Sequence, residues 1–173
     1  MMETVNIITL VAALFLLYAA WSDFQRWRIP NGVVLALVAV YALSATARLV
    51  TTQDIGAALF SLDGIGGDVG AGLLLFALGV ALWAFRLFGA GDAKLFLPIG
   101  LFVGWHGMLP FALFLLLGGI VTMLALRLPM PLAFAHYAVV MRIEEIRASR
   151  KIPYGVIMVF ATLITMALGH RQA

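Results

Sequence analysis

The sequence predicts an all-α, polytopic membrane protein with about six transmembrane helices plus an amphipathic helix on the cytoplasmic surface. Three observations predict it. Of 173 residues, 64% are hydrophobic and only 11% charged, where a soluble domain carries about 25% charged residues. Mean hydropathy is +1.09. Apolar runs long enough to cross a membrane recur along the chain, and the basic residues between them segregate to one side. The absence of cysteine excludes disulfides, thiolate metal sites and cysteine nucleophiles. The net charge of +3 is read as basic loops on one membrane face. No basic cluster is interleaved with aromatics, so no nucleic-acid partner is expected. Residues 1–173 read as one membrane-embedded domain.

The elements follow in order. A spanning helix needs roughly 20 apolar residues. Val5 to Trp21 is the first such run. No Lys or Arg precedes it and no small-x-small site follows, so it does not read as a cleavable signal peptide. Val33 to Ala47 is the second run and Val69 to Phe85 the third. Between those two, Arg48 to Asp68 reads as a solvated outer connection. After Lys94 come 32 uncharged residues, Leu95 to Leu126. As one helix they would measure about 48 Å at ~1.5 Å per residue, against a hydrocarbon core of about 30 Å. Trp105, His106, Gly107 and Pro110, near the middle, are interfacial and helix-breaking types, so this run is expected to be two helices. Pro153 to Gly169 is the last span. Between Leu132 and Lys151, Leu132, Val139, Ile143 and Ile146 fall near helical spacing, which predicts the amphipathic surface helix. Gly67, Ala71 and Gly79 are read as sites of close helix packing.

Charge sets the orientation. With six spans and the N-terminus outside, nine of the eleven basic residues fall on the inner side, and only Arg48 and Arg171 fall outside. With Leu95 to Leu126 as a single helix, the inner side would hold fewer than half of them. The positive-inside rule therefore selects six helices with both termini outside.

Four acidic residues then lie on the inner side: Asp23, Asp92, Glu144 and Glu145. The glutamates sit among arginines and read as a solvated face. Asp23 and Asp92 each lie at the inner end of a span, where an ionisable group is costly and suggests function. Asp23 closes the first helix ahead of Ile29, Pro30 and Asn31, where Pro30 forces Ile29 away from helical angles. Pairing with Arg26 or Arg28 is its structural alternative. Asp92 follows Gly89-Ala90-Gly91 and opens a helix, so helix capping is its alternative. Lys94 either balances a negative charge at this site, binds lipid phosphate, or is a plain interfacial lysine. Two carboxylates that meet cannot both ionise and so share a proton. One then activates water while the other, protonated, polarises a peptide carbonyl. That is aspartic-protease chemistry, and it needs neither metal nor cofactor.

Asp23 with Ile29-Pro30-Asn31, then Gly89-Ala90-Gly91-Asp92-Ala93-Lys94, then Ile152-Pro153-Tyr154-Gly155, resembles the type IV prepilin peptidases. These are intramembrane aspartic proteases of the Gly-x-Gly-Asp type. The resemblance covers nearly the whole chain and rests on three motifs in order. It implies that Asp23 and Asp92 are the catalytic pair and that Gly89, Gly91, Lys94, Pro30, Asn31, Pro153 and Gly155 are supporting motif positions. It further implies a prepilin substrate, with a short basic leader and a following hydrophobic helix, cut at the cytoplasmic face of a bacterial inner membrane. The small size resembles the peptidases of tight-adherence (Flp) pilus systems. Larger members carry a cytoplasmic domain between the first two helices and also methylate the new N-terminus. Here that loop is about nine residues with no cysteine, so no methyltransferase activity is expected. Two other classes compete. A proton- or ion-coupled transporter subunit would place its acids nearer mid-membrane. A non-catalytic membrane subunit of a pilus or secretion apparatus would tolerate Asp92→Asn.

Overall fold

The computed structural model describes residues 7–127, 145–146 and 153–169, and no strand occurs among them. The helices are α1 (Ile7–Arg26), α2 (Asn31–Thr51), α3 (Ile55–Phe60), α4 (Ile65–Ala84), α5 (Ala90–Arg127) and α6 (Tyr154–Gly169). Apolar runs of this length become helices because a helix satisfies every backbone N–H and C=O within its own segment. Among the described residues, four stretches are long and apolar enough to cross a membrane: α1, α2, Ile55–Ala84 and α5. The shorter α6 is also apolar. Large side chains such as Leu35, Leu43, Leu74, Leu116 and Leu117 point outward and are exposed. A surface this rich in leucine suits a lipid solvent and would be an aggregation liability in water. Most of the surface helix expected over Leu132 to Lys151 lies outside the described residues. Of it, Glu145 is exposed and Ile146 buried.

The core is built from one face of each long helix, with Leu16, Leu37, Leu75, Phe96, Phe111 and Met158 at its centre. Helix α4 lies close along the first half of α5 because small residues face each other there. A Cβ on Gly100 would stand 2.5 Å from the Cα of Gly72, and one on Gly79 would stand 2.6 Å from Cδ2 of Phe96. Ala71 is fully buried at the same seam. The packing expectation thus holds for Ala71 and Gly79. Gly67 packs instead on the backbone of Leu62, in the turn before α4.

Helix α5 does not run straight. Gly104 breaks it with φ 69 and ψ 177, a conformation open in practice only to glycine. The rings of Phe96 and Phe111 lie 6.3 Å apart and perpendicular. Along a straight helix those residues would be about 22 Å apart, so the chain doubles back at Gly104. The reversal sits one residue before the Trp105-His106-Gly107 group expected to mark it, and Pro110 is accommodated inside the helix.

The connection from Arg48 to Asp68 is more ordered than a solvated loop. It contains α3, capped by Asp54, whose Oδ1 accepts the Ala57 N–H at 2.9 Å. Asp68 lies within the first turn of α4. Its Oδ2 accepts both the Tyr41 hydroxyl at 2.8 Å and Arg48 Nη2 at 2.9 Å. The carboxylate also lies against the Gly104 turn, where a Cβ would meet Oδ1 at 2.8 Å. One acid therefore ties α2 and α4 to the reversal of α5.

Candidate active site

The end of the bundle opposite this cluster holds the residues singled out by motif. Helix α1 continues one turn past Asp23, to Arg26. Trp27, at φ 54, ends it in the left-handed conformation, and its N–H returns to the Asp23 carbonyl at 2.9 Å, as in a helix C-cap. The Asp23 side chain is consequently held inside the bundle, only 6% exposed, with Oδ2 sealed from solvent. The neighbouring Ser22, also buried, donates from Oγ to the Arg28 carbonyl at 2.8 Å. That bond folds the short link Trp27 to Pro30 back over the helix end.

Pro30 is the N-cap of α2, with φ −63 and ψ 136. Its carbonyl accepts the Val33 N–H at 3.1 Å. Ile29, driven out of helical angles by Pro30, is buried against Gly91. A Cβ on Gly91 would find Ile29 atoms at 3.6 Å, an ordinary contact.

Asp92 occupies the third position of α5. Its Oδ2 accepts the Gly89 N–H at 3.2 Å, the reciprocal half of a capping box. The capping alternative is therefore realised at the third helical position rather than the N-cap itself. It does not remove Asp92 from the cavity, because the carboxylate is only partly buried and still lines the opening beside Asp23. The two carboxylates lie close enough for the charge of one to act on the other.

Gly155 comes from the first turn of α6, which Pro153 opens by accepting the Val156 N–H at 3.2 Å. Beside Gly155, the Tyr154 ring lies against Phe88, with centroids 4.6 Å apart and the planes tilted by 39°. On the open side, Lys94 Nζ donates to Asn31 Oδ1 at 3.1 Å. The end of α1, the start of α2 and the start of α5 surround a cavity of about 660 Å³ lined by Asp23, Asp92, Arg26, Arg28, Asn31 and Lys94 among others.

The structure thus brings together Asp23, Asp92, Gly89, Gly91, Pro30, Asn31, Lys94 and Gly155, with Pro153 starting the helix that carries Gly155. Glu145 is exposed, and Glu144 lies outside the described residues. Ser22 and the Phe88–Tyr154 pair were not anticipated. A serine ending an apolar run beside Asp23 was the available signal for the first. Tyr154 falls within the third motif, but nothing local marks Phe88 as its partner. Two carboxylates facing one open cavity, one of them buried, can divide acid and base roles between them.

The model of the type IV leader peptidase family matches residues 10–168. The chain matches no curated protein and no solved structure at a significant level.

Proposed function

The chain belongs to the type IV leader peptidase family, and from that premise we propose that it is an aspartic endopeptidase in which Asp23 and Asp92 form the catalytic pair. The family makes it a protease of the leader-peptidase kind, and its long apolar helices fit a multi-pass membrane protein. The observation that carries the finer reading is the shared cavity: carboxylates from α1 and α5 line one opening, with Gly155 of α6 packed on the first of them.

The chemistry follows from placing two acids together. Like charges at short range disfavour double ionisation, so the pair holds one proton. The ionised carboxylate takes a proton from water, and the water oxygen attacks the scissile carbonyl carbon. The protonated carboxyl polarises that carbonyl and then supplies the proton to the leaving amine as the C–N bond breaks.

In our reading the substrate is a prepilin, of the Flp type, with a short basic leader ahead of a hydrophobic helix. That helix resides in the same membrane, so insertion supplies much of the proximity. The bundle reads as six spans, because α5 reverses at Gly104 and α6 supplies a further apolar helix. Both termini then lie outside, and the cavity faces the cytoplasm of a bacterial inner membrane, in keeping with the positive-inside distribution. Only Trp27 to Pro30 separate α1 from α2, which leaves no place there for an inserted domain and supports peptidase activity without N-methylation.

The experiment is co-expression with a prepilin of this kind, followed by immunoblotting for the shortened product. Wild type is expected to process it, while Asp23→Asn and Asp92→Asn are each expected to abolish processing at unchanged protein level. Processing by purified Asp92→Asn protein would overturn the aspartyl mechanism.

A further inference from the structure

The bond between Lys94 Nζ and Asn31 Oδ1, at 3.1 Å, joins side chains 63 residues apart in sequence. Asn31 is the first residue of α2, and Lys94 lies in the opening turns of α5, just beyond Asp92. It is one of three links that run between the two carboxylates. Ser22 Oγ, beside Asp23, holds the Arg28 carbonyl at 2.8 Å. Ile29 packs on Gly91, beside Asp92. Asn31 takes the Lys94 ammonium. Arg28 to Asn31 thus form a short spacer, attached to α1 at one end and to α5 at two points on either side of Asp92. Pro30 stiffens it, since its ring holds φ near −65°.

We propose that Lys94 is a positioning residue. By bonding Asn31 it locks the start of α5 onto the Ile29–Asn31 turn and so sets where the Asp92 carboxylate stands relative to Asp23. Its action passes through Asn31 and not through a lipid phosphate or the substrate. The role rests on the peptidase reading above. Both side chains are exposed, so the bond adds little to folding, as solvent-exposed polar pairs generally do. Its effect lies in geometry, because displacement of a reacting group by about 1 Å costs up to ~100-fold in rate.

A double-mutant cycle tests this with purified full-length protein and a detergent-solubilised prepilin carrying a basic leader. The variants are Lys94→Met, Asn31→Ala and the two combined, with Asn31→Asp retaining the acceptor. Each single change is expected to lower kcat about tenfold with KM nearly unchanged, the pattern of lost transition-state geometry. The double variant is expected to be no slower than the slower single one. Asn31→Asp is expected to be faster than Asn31→Ala, since it retains the acceptor, and melting temperatures are expected to coincide, so that folding does not explain the loss. Losses that multiply in the double variant would show independent roles and overturn the proposal, as would a silent Asn31→Ala or a Lys94→Met effect confined to KM. Wild-type protein that cleaves nothing would instead overturn the peptidase reading, and this role with it.

Discussion

A Cβ atom placed on Gly155 would stand 2.8 Å from Oδ2 of Asp23 and 2.9 Å from its Cγ. The backbone of α6 is thus in direct contact with the buried carboxylate of α1, and the bundle closes there only because residue 155 has no side chain. The carboxylate has nowhere to retreat, since Asp23 is held at the end of α1 and almost fully buried.

Gly155→Ala is therefore expected to displace Asp23 or push α6 outward, and to lower prepilin cleavage by about 100-fold. Gly91→Ala is the contrasting case. Its added methyl would meet Ile29 at 3.6 Å, an ordinary contact, so most activity should survive. Parallel processing assays at matched expression distinguish the two positions, and equal losses would contradict the packing argument.

Gly104→Ala tests the reversal of α5. The substitution forces an L-residue into φ 69 and sets its methyl against Asp68 Oδ1 at 2.8 Å. Strain of this kind costs about 1–3 kcal/mol. A lowered melting temperature in detergent is the expected result, and an unchanged one would show that the reversal does not need glycine.

Asp68→Ala removes the acceptor shared by Tyr41 and Arg48. Hydrogen bonds to a charged group contribute about 1.5–3 kcal/mol, but Arg48 is half exposed, so the lower end applies. Thermal unfolding should show the loss, together with a smaller loss from Tyr41→Phe. Cleavage measured well below the melting temperature should fall little, because the cluster lies at the end of the bundle away from Asp23 and Asp92.

The rate–pH profile should be bell-shaped. At low pH both carboxyls are protonated and no base remains. At high pH both are ionised and no acid remains. The optimum lies where the pair carries one proton, and its two limbs report the pair rather than either residue. A rate that rises to a plateau with no alkaline limb would remove the protonated partner from the mechanism.

Reporter fusions check orientation. A tag in the Trp27 to Pro30 link is expected to report cytoplasm, and tags at both termini are expected to report periplasm. A cytoplasmic C-terminus would mean an odd number of spans and overturn the six-span reading.

The sequence alone determined the helical class, the long apolar helices and the two acids that line one cavity. Each of these follows from local quantities: the length of an apolar run, the cost of an ionisable group at its end, and the count of charges on either side. The split of Leu95 to Leu126 was legible for the same reason, as a run too long for one crossing. Tertiary structure alone decided the contacts that give those residues their roles. Asp68 reads in sequence as one more loop acid, yet its partner Tyr41 lies 27 residues away. Lys94 reads in sequence as balancing a charge, binding lipid phosphate or merely sitting at the interface, yet it holds Asn31 from the other motif. Gly155 reads as part of a helix start, yet it is needed where α6 touches Asp23. Periodicity and charge balance describe how a segment meets its solvent. Which side chains meet each other depends on how α1, α2, α5 and α6 pack, and that packing is a property of all of them together.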